Sequence, residues 1–240
     1  MKRKFYSLAV ALAVAAFLAP ASAADDPTAS IIKQDSHTVS LELKFSKKKL
    51  NSLEHVISFL DWGPNGFATG FLVGDGLVMT SYHVVSGDLS ASKKAQMGFA
   101  PNDRLEVKVN INGCQAAVIK VDEDADLALL RICRSQKQTK APAFQTILNK
   151  DERLVLIARP HGDKRVRRGV YYGPYPFRGL QYSSASLDVR DGFSGSPVYN
   201  DRAEIVGVFS GYDWAKKLAL ISPGDRAQKL LDDYVSNAKP

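Results

Sequence analysis

Gly192-Phe193-Ser194-Gly195-Ser196-Pro197 sets a serine between two glycines in the last quarter of a 240-residue chain. Glycine reaches backbone conformations closed to other residues, so a turn built this way can be sharp enough to expose the serine hydroxyl together with the N–H groups of Gly192 and Ser194. A hydroxyl beside two converging N–H groups is the arrangement acyl transfer needs: a nucleophile, and donors for the negative oxygen that forms on attack. A glycine-rich link between two strands has the same local look, so the reading turns on what the rest of the chain supplies.

A serine hydroxyl is a good nucleophile only beside a base. The chain has four histidines: His37, His55, His83 and His161. His37 stands close to a polar N-terminal region, His55 in a stretch of helical spacing, and His161 in Pro160-His161-Gly162. All three read as surface or loop residues. His83 follows the apolar run 77–81 directly, in Thr80-Ser81-Tyr82-His83-Val84-Val85, where a strand end holds it rigidly. An imidazole base needs a carboxylate to fix its tautomer and stabilise its charged form. Asp126 immediately precedes Leu127-Ala128-Leu129-Leu130, which draws it to the edge of a core, while Asp122, Glu123 and Asp124 read as solvated turn charges.

The order His83, Asp126, Ser194 is the chymotrypsin order; α/β-hydrolases place the histidine last and subtilisins place the aspartate first. No histidine follows Ser194, and Gly195 falls one position early for G-x-S-x-G, which excludes an α/β-hydrolase built on this serine. The three residues are 43 and 68 positions apart. His83 and Asp126 therefore share one group of strands, Ser194 lies in a second, and the site falls in the cleft between the two.

The strand groups show in the hydrophobic pattern. Val39, Leu41, Leu43 and Phe45 alternate on one face of 38–45, and Leu105, Val107, Val109 and Ile111 on one face of 105–111. Runs 67–73 and 77–81 flank Gly74-Asp75-Gly76, a tight hairpin turn. After a polar, basic stretch at 134–142, strand signals resume at 153–158, 169–172, 180–189, 198–199, 205–210 and 218–221. The spacing of Leu50, Leu53, Val56, Ile57 and Leu60 suggests a short helix. A second helix is marked by Ser222 as N-cap, Pro223 at the first position and Asp225 in a capping-box-like place, with Ala227, Leu230, Leu231, Tyr234 and Val235 on one face. The fold expected is all-β: two six-stranded antiparallel barrels closed by a C-terminal helix. The boundaries expected are an extension over 24–60, a first barrel over about 61–133, a linker over 134–146, a second barrel over about 147–222 and a helix over 223–236.

Residues 1–23 read as a secretory leader: a basic start at Met1-Lys2-Arg3-Lys4, an apolar run over 8–18, and the A-x-A site Ala21-Ser22-Ala23. The run is shorter than the roughly 20 residues a membrane span needs, so export of a soluble, periplasmic or secreted product is expected. Removal takes three of 32 basic and none of 25 acidic residues, lowering the formal charge from +7 to +4. So mild an excess does not suggest nucleic acid. The one dense basic run, Lys164-Arg165-Val166-Arg167-Arg168, lacks interleaved aromatics and reads as a solvated loop. With 45% hydrophobic and 24% charged residues, disorder is excluded. Two apolar runs between Cys114 and Cys133 flank the acidic turn 122–125; a hairpin there brings the sulfurs nearly opposite, where a bridge closes. Two buried free thiols are the other reading. No metal-ligand cluster is visible, and no cofactor is called for.

Taken together, Thr80-Ser81-Tyr82-His83-Val84-Val85, Asp126-Leu127-Ala128-Leu129-Leu130 and Gly192-Phe193-Ser194-Gly195-Ser196-Pro197-Val198 resemble the three signatures of trypsin-like serine peptidases. Ala68-Thr69-Gly70-Phe71-Leu72-Val73 is similar to the bacterial HtrA/Deg and glutamyl-endopeptidase branches, and the resemblance covers roughly residues 60–235. It implies an endopeptidase acting on proteins or peptides through Ser194, His83 and Asp126, with Gly192 and Ser194 as oxyanion donors. It implies that Ser210-Gly211-Tyr212 pairs with substrate as an added strand. Asp188, six residues before the serine, stands where some trypsin-like enzymes have the floor of the specificity pocket. Either it favours Arg or Lys there, or it points to solvent or pairs with Arg190 and leaves a small apolar pocket. Two features depart from the family: Phe193 replaces the usual Asp or Asn, and Phe209 stands where glutamyl endopeptidases carry a histidine. No sequence follows the helix, so no PDZ domain is expected. A non-catalytic peptide-binding or chaperone-like module on the same fold, and an esterase with the same triad, are the rival functions. The oligomeric state is not legible.

Overall fold

The computed structural model describes residues 31, 34–48, 65–133, 143–145 and 147–237. The expected leader 1–23, the helix at 50–60 with His55, and the polar stretch 134–142 lie outside them. Alternating apolar residues dictate the strands. In the first barrel these are β1 (Thr38–Lys47), β2 (Gly66–Gly74), β3 (Leu77–Ser81), β4 (Leu105–Ile111), β5 (Cys114–Asp122) and β6 (Leu127–Arg131). In the second they are β7 (Arg153–Ala158), β8 (Arg165–Phe177), β9 (Leu180–Ala185), β10 (Pro197–Tyr199), β11 (Ile205–Asp213) and β12 (Leu218–Pro223), and the helices are α1 (Tyr82–Ser86), α2 (Ala91–Gln96) and α3 (Gly224–Asn237). The first sheet closes in the order β1-β2-β3-β6-β5-β4 and the second in the order β10-β11-β12-β9-β8-β7. Two six-stranded antiparallel barrels are thus the architecture, as the pattern of short strands implied.

One boundary moves. Residues 24–60 were expected to lie outside the barrels, but β1 comes from that segment and pairs with both β2 and β4, with Leu43 opposite Gly66 on one side and Val109 on the other. The alternating face of β1 is the reason: Val39, Leu41, Leu43 and Phe45 are buried in the first core, and without them the sheet would keep two open edges. The first barrel therefore begins at Thr38, not near residue 61.

Two local readings change as well. The basic run does not form a loop, because β8 starts at Arg165 and its backbone pairs with β7 from Ala158 back to Arg153. A ladder is indifferent to charge when side chains such as Arg165 and Arg168 point into solvent. Ser222 is not a helix cap: β12 runs to Pro223, with Ser222 opposite Val208, and the helix α3 (Gly224–Asn237) starts two residues later. Ser222 is fully buried and its hydroxyl donates to the carbonyl of Ala125 in the other barrel. The helix buries Ala227 and Leu230, with Leu231 and Tyr234 packed beside them, while Val235 is exposed. The β9 ladder ends at Ala185, short of the run 180–189 read from the sequence.

Three apolar clusters hold the molecule together. One fills each barrel, and the third crosses between them, joining Phe71, Met79, Leu127 and Leu129 to Tyr199, Val208 and the α3 residues. Phe144 bridges to Ile205, which pins the end of the inter-barrel segment to β11.

Cys114 opens β5 and Cys133 follows β6, and the two are joined with their Cα atoms 6.0 Å apart, inside the usual range for a bridge. The cross-link closes a loop spanning 19 positions, for which loop entropy gives about 3 kcal/mol of stability. Thiol titration of the unreduced, denatured protein is expected to find no free thiol. A Cys114→Ala/Cys133→Ala variant is expected to lose about that amount in urea unfolding. Two reactive thiols in the untreated protein would overturn the pairing.

Candidate active site

The site is built where the end of β3, the start of β6 and the turn before β10 meet, over the middle of β11. β3 delivers the chain into the short helix α1 (Tyr82–Ser86), which places His83 one residue past its start. The Ser81 hydroxyl behind it is buried and donates to the carbonyl of Phe209 in the second barrel at 3.0 Å, so the root of the helix is tied to both barrels. Asp126 ends the acidic turn between β5 and β6 with φ at +52°, a left-handed conformation that costs aspartate less than most residues. Its own carbonyl accepts from Tyr82 N at 3.0 Å.

The strained turn aims the carboxylate at His83. One Asp126 oxygen accepts from the His83 backbone N–H at 2.9 Å and the other faces Nδ1 at 2.8 Å. With Nδ1 donating to the carboxylate, Nε2 is left as the acceptor, and Ser194 Oγ lies 2.9 Å from it. The Asp126 side chain is only 10% exposed and that of His83 42%. The buried carboxylate makes itself felt further off: the hydroxyl of Tyr182 is pushed up to about 12 by burial and then by the charge of Asp126. His37, read as a loop histidine near the N-terminus, is buried at the entrance to β1 and far from this chemistry in role; burial holds its pKa below the ordinary value.

Glycines shape the serine turn. Gly192 and Gly195 have φ of +85° and +83°. A Cβ on Gly195 would stand 2.1 Å from both the Thr69 carbonyl and the Thr80 hydroxyl, and one on Gly192 would stand 2.8 Å from Pro160 Cβ. The N–H groups of Phe193, Gly195 and Ser196 go to the carbonyls of Arg190, Phe209 and Phe193. Those of Gly192 and Ser194 have no acceptor among the described residues. Phe193 is buried in the core of the second barrel beneath the Arg167 guanidinium, 5.4 Å from its ring centroid. An apolar anchor thus replaces the polar contact expected before the serine.

A cleft of about 800 Å³ runs past Ser194 between the barrels. Gly211 and Tyr212 line it, and a Cβ on Gly211 would meet nothing within 4 Å, so that edge of β11 is open. The Ser210 side chain is turned away, buried against the Ser222 hydroxyl at 2.6 Å. Asp188 does not reach the cleft at all. Its neighbours Leu187 and Val189 point into the core, and alternation sends Asp188 outward: its side chain is 73% exposed, 3.8 Å from Arg167 rather than paired with Arg190. Val189 and Phe209 share the lining of the cleft with Ser194, as do Arg190 and Asp191. His161, read as a loop residue, lines the cleft with its ring centroid 3.9 Å from that of Phe67.

Sequence reasoning missed Trp214, which is 80% exposed in the turn after β11, edge-on to Tyr212 at 4.7 Å. An aromatic in a turn leaves no periodic trace. The turn is fastened by Asp213, which accepts from the Tyr175 hydroxyl at 2.7 Å and from the N–H groups of Ala215 and Lys216. Those bonds, the tyrosine's first, hold its carboxyl below the ordinary range. Among the described residues no group of three or more His, Cys, Asp or Glu side chains gathers as a metal site, and no helix is long and apolar enough to cross a membrane.

Two antiparallel barrels with a serine, a histidine and an aspartate meeting across their cleft define a serine-hydrolase type of architecture. A family model, that of the trypsin-like peptidase domain, matches residues 68–208, and the chain belongs to that family. Among solved structures, the Rv3671c protease from M. tuberculosis in its active form superimposes with a TM-score of 0.59 at 16% identity, over 84% of this chain and 82% of that one. The inactive form of the Rv3671c protease gives 0.58 at 16%, over 85% and 91%. Deg5 gives 0.58 at 17%, over 85% and 92%. At these identities the likeness is one of fold. Among curated proteins none matches the chain in sequence.

Gly113 and Gly195 separate conformational need from close approach. Gly113 has φ at +72° with nothing within 4 Å of a Cβ, so Gly113→Ala is expected to cost about 1 kcal/mol, the left-handed penalty alone. Gly195→Ala adds a clash with backbone that cannot yield, and is expected to cost about 3 kcal/mol or more. Equal midpoints for the two variants in urea unfolding would refute the tight seating of the serine turn.

Proposed function

We propose that the protein is an exported serine endopeptidase in which Ser194 is the nucleophile, His83 the general base and acid, and Asp126 the residue that orients His83. The observation that carries this reading is the run of contacts Asp126 to Nδ1 at 2.8 Å and Nε2 to Ser194 Oγ at 2.9 Å, ending beside two N–H groups that no carbonyl of the described residues claims. Ser194 Oγ attacks the peptide carbonyl carbon as its proton passes to Nε2, and the carbonyl oxygen takes the negative charge. The N–H groups of Gly192 and Ser194 stabilise that oxygen. His83 then gives the proton to the leaving nitrogen, the C–N bond breaks, and an acyl-enzyme remains for water to hydrolyse by the same steps.

The peptide lies along Gly211 and Tyr212 as an added strand. Val189 and Phe209 offer the residue before the cut an apolar wall, with Arg190 and Asp191 also on the lining; together with the outward turn of Asp188 this supports a preference for small or medium apolar side chains over Arg or Lys. The A-x-A leader and the cross-linked cysteines support export.

A fluorophosphonate is expected to label the protein once, at Ser194, and Ser194→Ala is expected to take no label. His83→Ala is expected to lower turnover by roughly 10⁴-fold or more. Labelling of the Ser194→Ala variant would overturn the assignment. Cleavage of a peptide library by Asp188→Ala is expected to match that of the unaltered protein; a lost preference for basic residues would restore Asp188 to the pocket.

A further inference from the structure

Thr69, on β2, is fully buried and belongs to the first barrel, yet its backbone N–H and its hydroxyl serve the second. Its backbone N–H donates to the carbonyl of Ser194 at 2.9 Å. Its hydroxyl donates to the carbonyl of Gly192 at 2.9 Å and accepts from the backbone N–H of Arg159 at 3.0 Å. Its own carbonyl accepts from the Thr80 hydroxyl at 2.8 Å, beside the slot that only a glycine at 195 can enter.

We propose that Thr69 is a positioning residue for the oxyanion donors: it grips the serine turn at the carbonyls of Gly192 and Ser194, and so fixes the spacing and direction of the N–H groups of those same two residues. The inference rests on the serine-peptidase reading above and adds to it a residue outside the triad.

The turn needs such a grip. Phe193 N donates to Arg190 O, and Gly192 at the third position has φ of +85°, so Arg190–Phe193 is a β-turn of the type II kind. Such a turn changes its character by rotating one peptide plane, that between Asp191 and Gly192, which carries the Gly192 N–H; the neighbouring plane carries the Gly192 carbonyl and sets the frame of the first, so rotation of either misdirects the N–H. The Thr69 hydroxyl removes one of those rotations by holding the Gly192 carbonyl. A hydroxyl is required because it both donates and accepts: the same oxygen ties Gly192 to Arg159, two separate segments of the second barrel that pack through Pro160. Valine has the shape of threonine and can do neither.

The test compares Thr69→Val, Thr69→Ala and Thr69→Ser with the unaltered protein, reading the rate at which a fluorophosphonate labels Ser194, its pH profile, and the circular dichroism of each variant. Thr69→Val is expected to label about 10- to 100-fold more slowly, less than the loss that follows removal of an oxyanion donor outright. The acid limb of its pH profile should stay in place, since the His83–Asp126 pair is untouched. Thr69→Ser, which keeps the hydroxyl, should recover most of the rate. Where Thr69→Val does not fold, Thr69→Ala, which leaves room for a water, is read in its place. A folded Val or Ala variant labelled as fast as the unaltered protein would overturn the proposal. So would a Ser variant as slow as Val, a displaced acid limb, or a failure of both Val and Ala to fold. Folded, unaltered protein that takes no label at Ser194 overturns the peptidase reading itself, and this inference falls with it. Labelled unaltered protein with an equally fast Thr69→Val overturns this inference alone.

Discussion

Ala125, one residue before the carboxylate that faces His83, gives its carbonyl to the Ser222 hydroxyl of the other barrel. Asp122, at the start of the same turn, takes two nitrogens of Arg226 from α3, at 3.0 and 2.7 Å. The second barrel thus holds the turn of the first that carries Asp126. The first barrel returns the hold through Ser81 and Thr69, whose bonds end on the carbonyls of Phe209, Gly192 and Ser194. This reciprocal grip is the constraint on which the site depends. Neither barrel alone completes it, and the apolar cluster shared between them keeps water from competing for the bonds. A buried donor or acceptor left without its partner costs about 1–3 kcal/mol, so sliding one barrel over the other would break several at once.

The same grip accounts for a buried charge. A carboxylate as enclosed as that of Asp126 is costly unless its oxygens are hydrogen-bonded, and here both are met by His83, one through the backbone and one through the ring. The backbone bond is the more telling of the two, because it ties the carboxylate to the helix that carries the imidazole and leaves the ring little freedom to swing. In the mechanism proposed above, a carboxylate held this close to Nδ1 is what stabilises an imidazolium when His83 takes a proton.

Much of this was legible in the residues, and the rest was hidden for definite reasons. The runs that became β3, β4 and β7 alternate or are apolar throughout and end at turn residues, so their limits are those the pattern implies. His83, Asp126 and Ser194 were found by chemistry and order, and they are the residues brought together. Barrel closure by β1 was not legible, because a strand's partners are a matter of topology and its pattern shows only which face is buried. Asp188 was placed by counting back from the serine, but β9 ends at Ala185 and the residues beyond it take their direction from Leu187 and Val189. Ser222 carries every local sign of a helix cap, and the ladder with β11 outweighed them. Thr69 lies in an apolar run, where a threonine reads as one more strand former; its hydroxyl has meaning only across a separation of 123 positions.

Phe193 shows how a departure from the family pattern fits the same scheme. A polar or charged residue before the serine needs a partner elsewhere in the fold, and the turn is then only as fixed as that pair. A phenylalanine needs only the core. Burying its ring contributes about 1.5–3 kcal/mol, and the core that receives it is the second barrel's own, so the turn is drawn inward as the barrel forms. Arg167 caps the ring from outside with its guanidinium. The serine turn is pulled from within by Phe193 and held from across the cleft by Thr69, which fixes its backbone in place; in the function proposed above, donors set in advance are the condition under which hydrogen bonds to a developing oxyanion act at full strength.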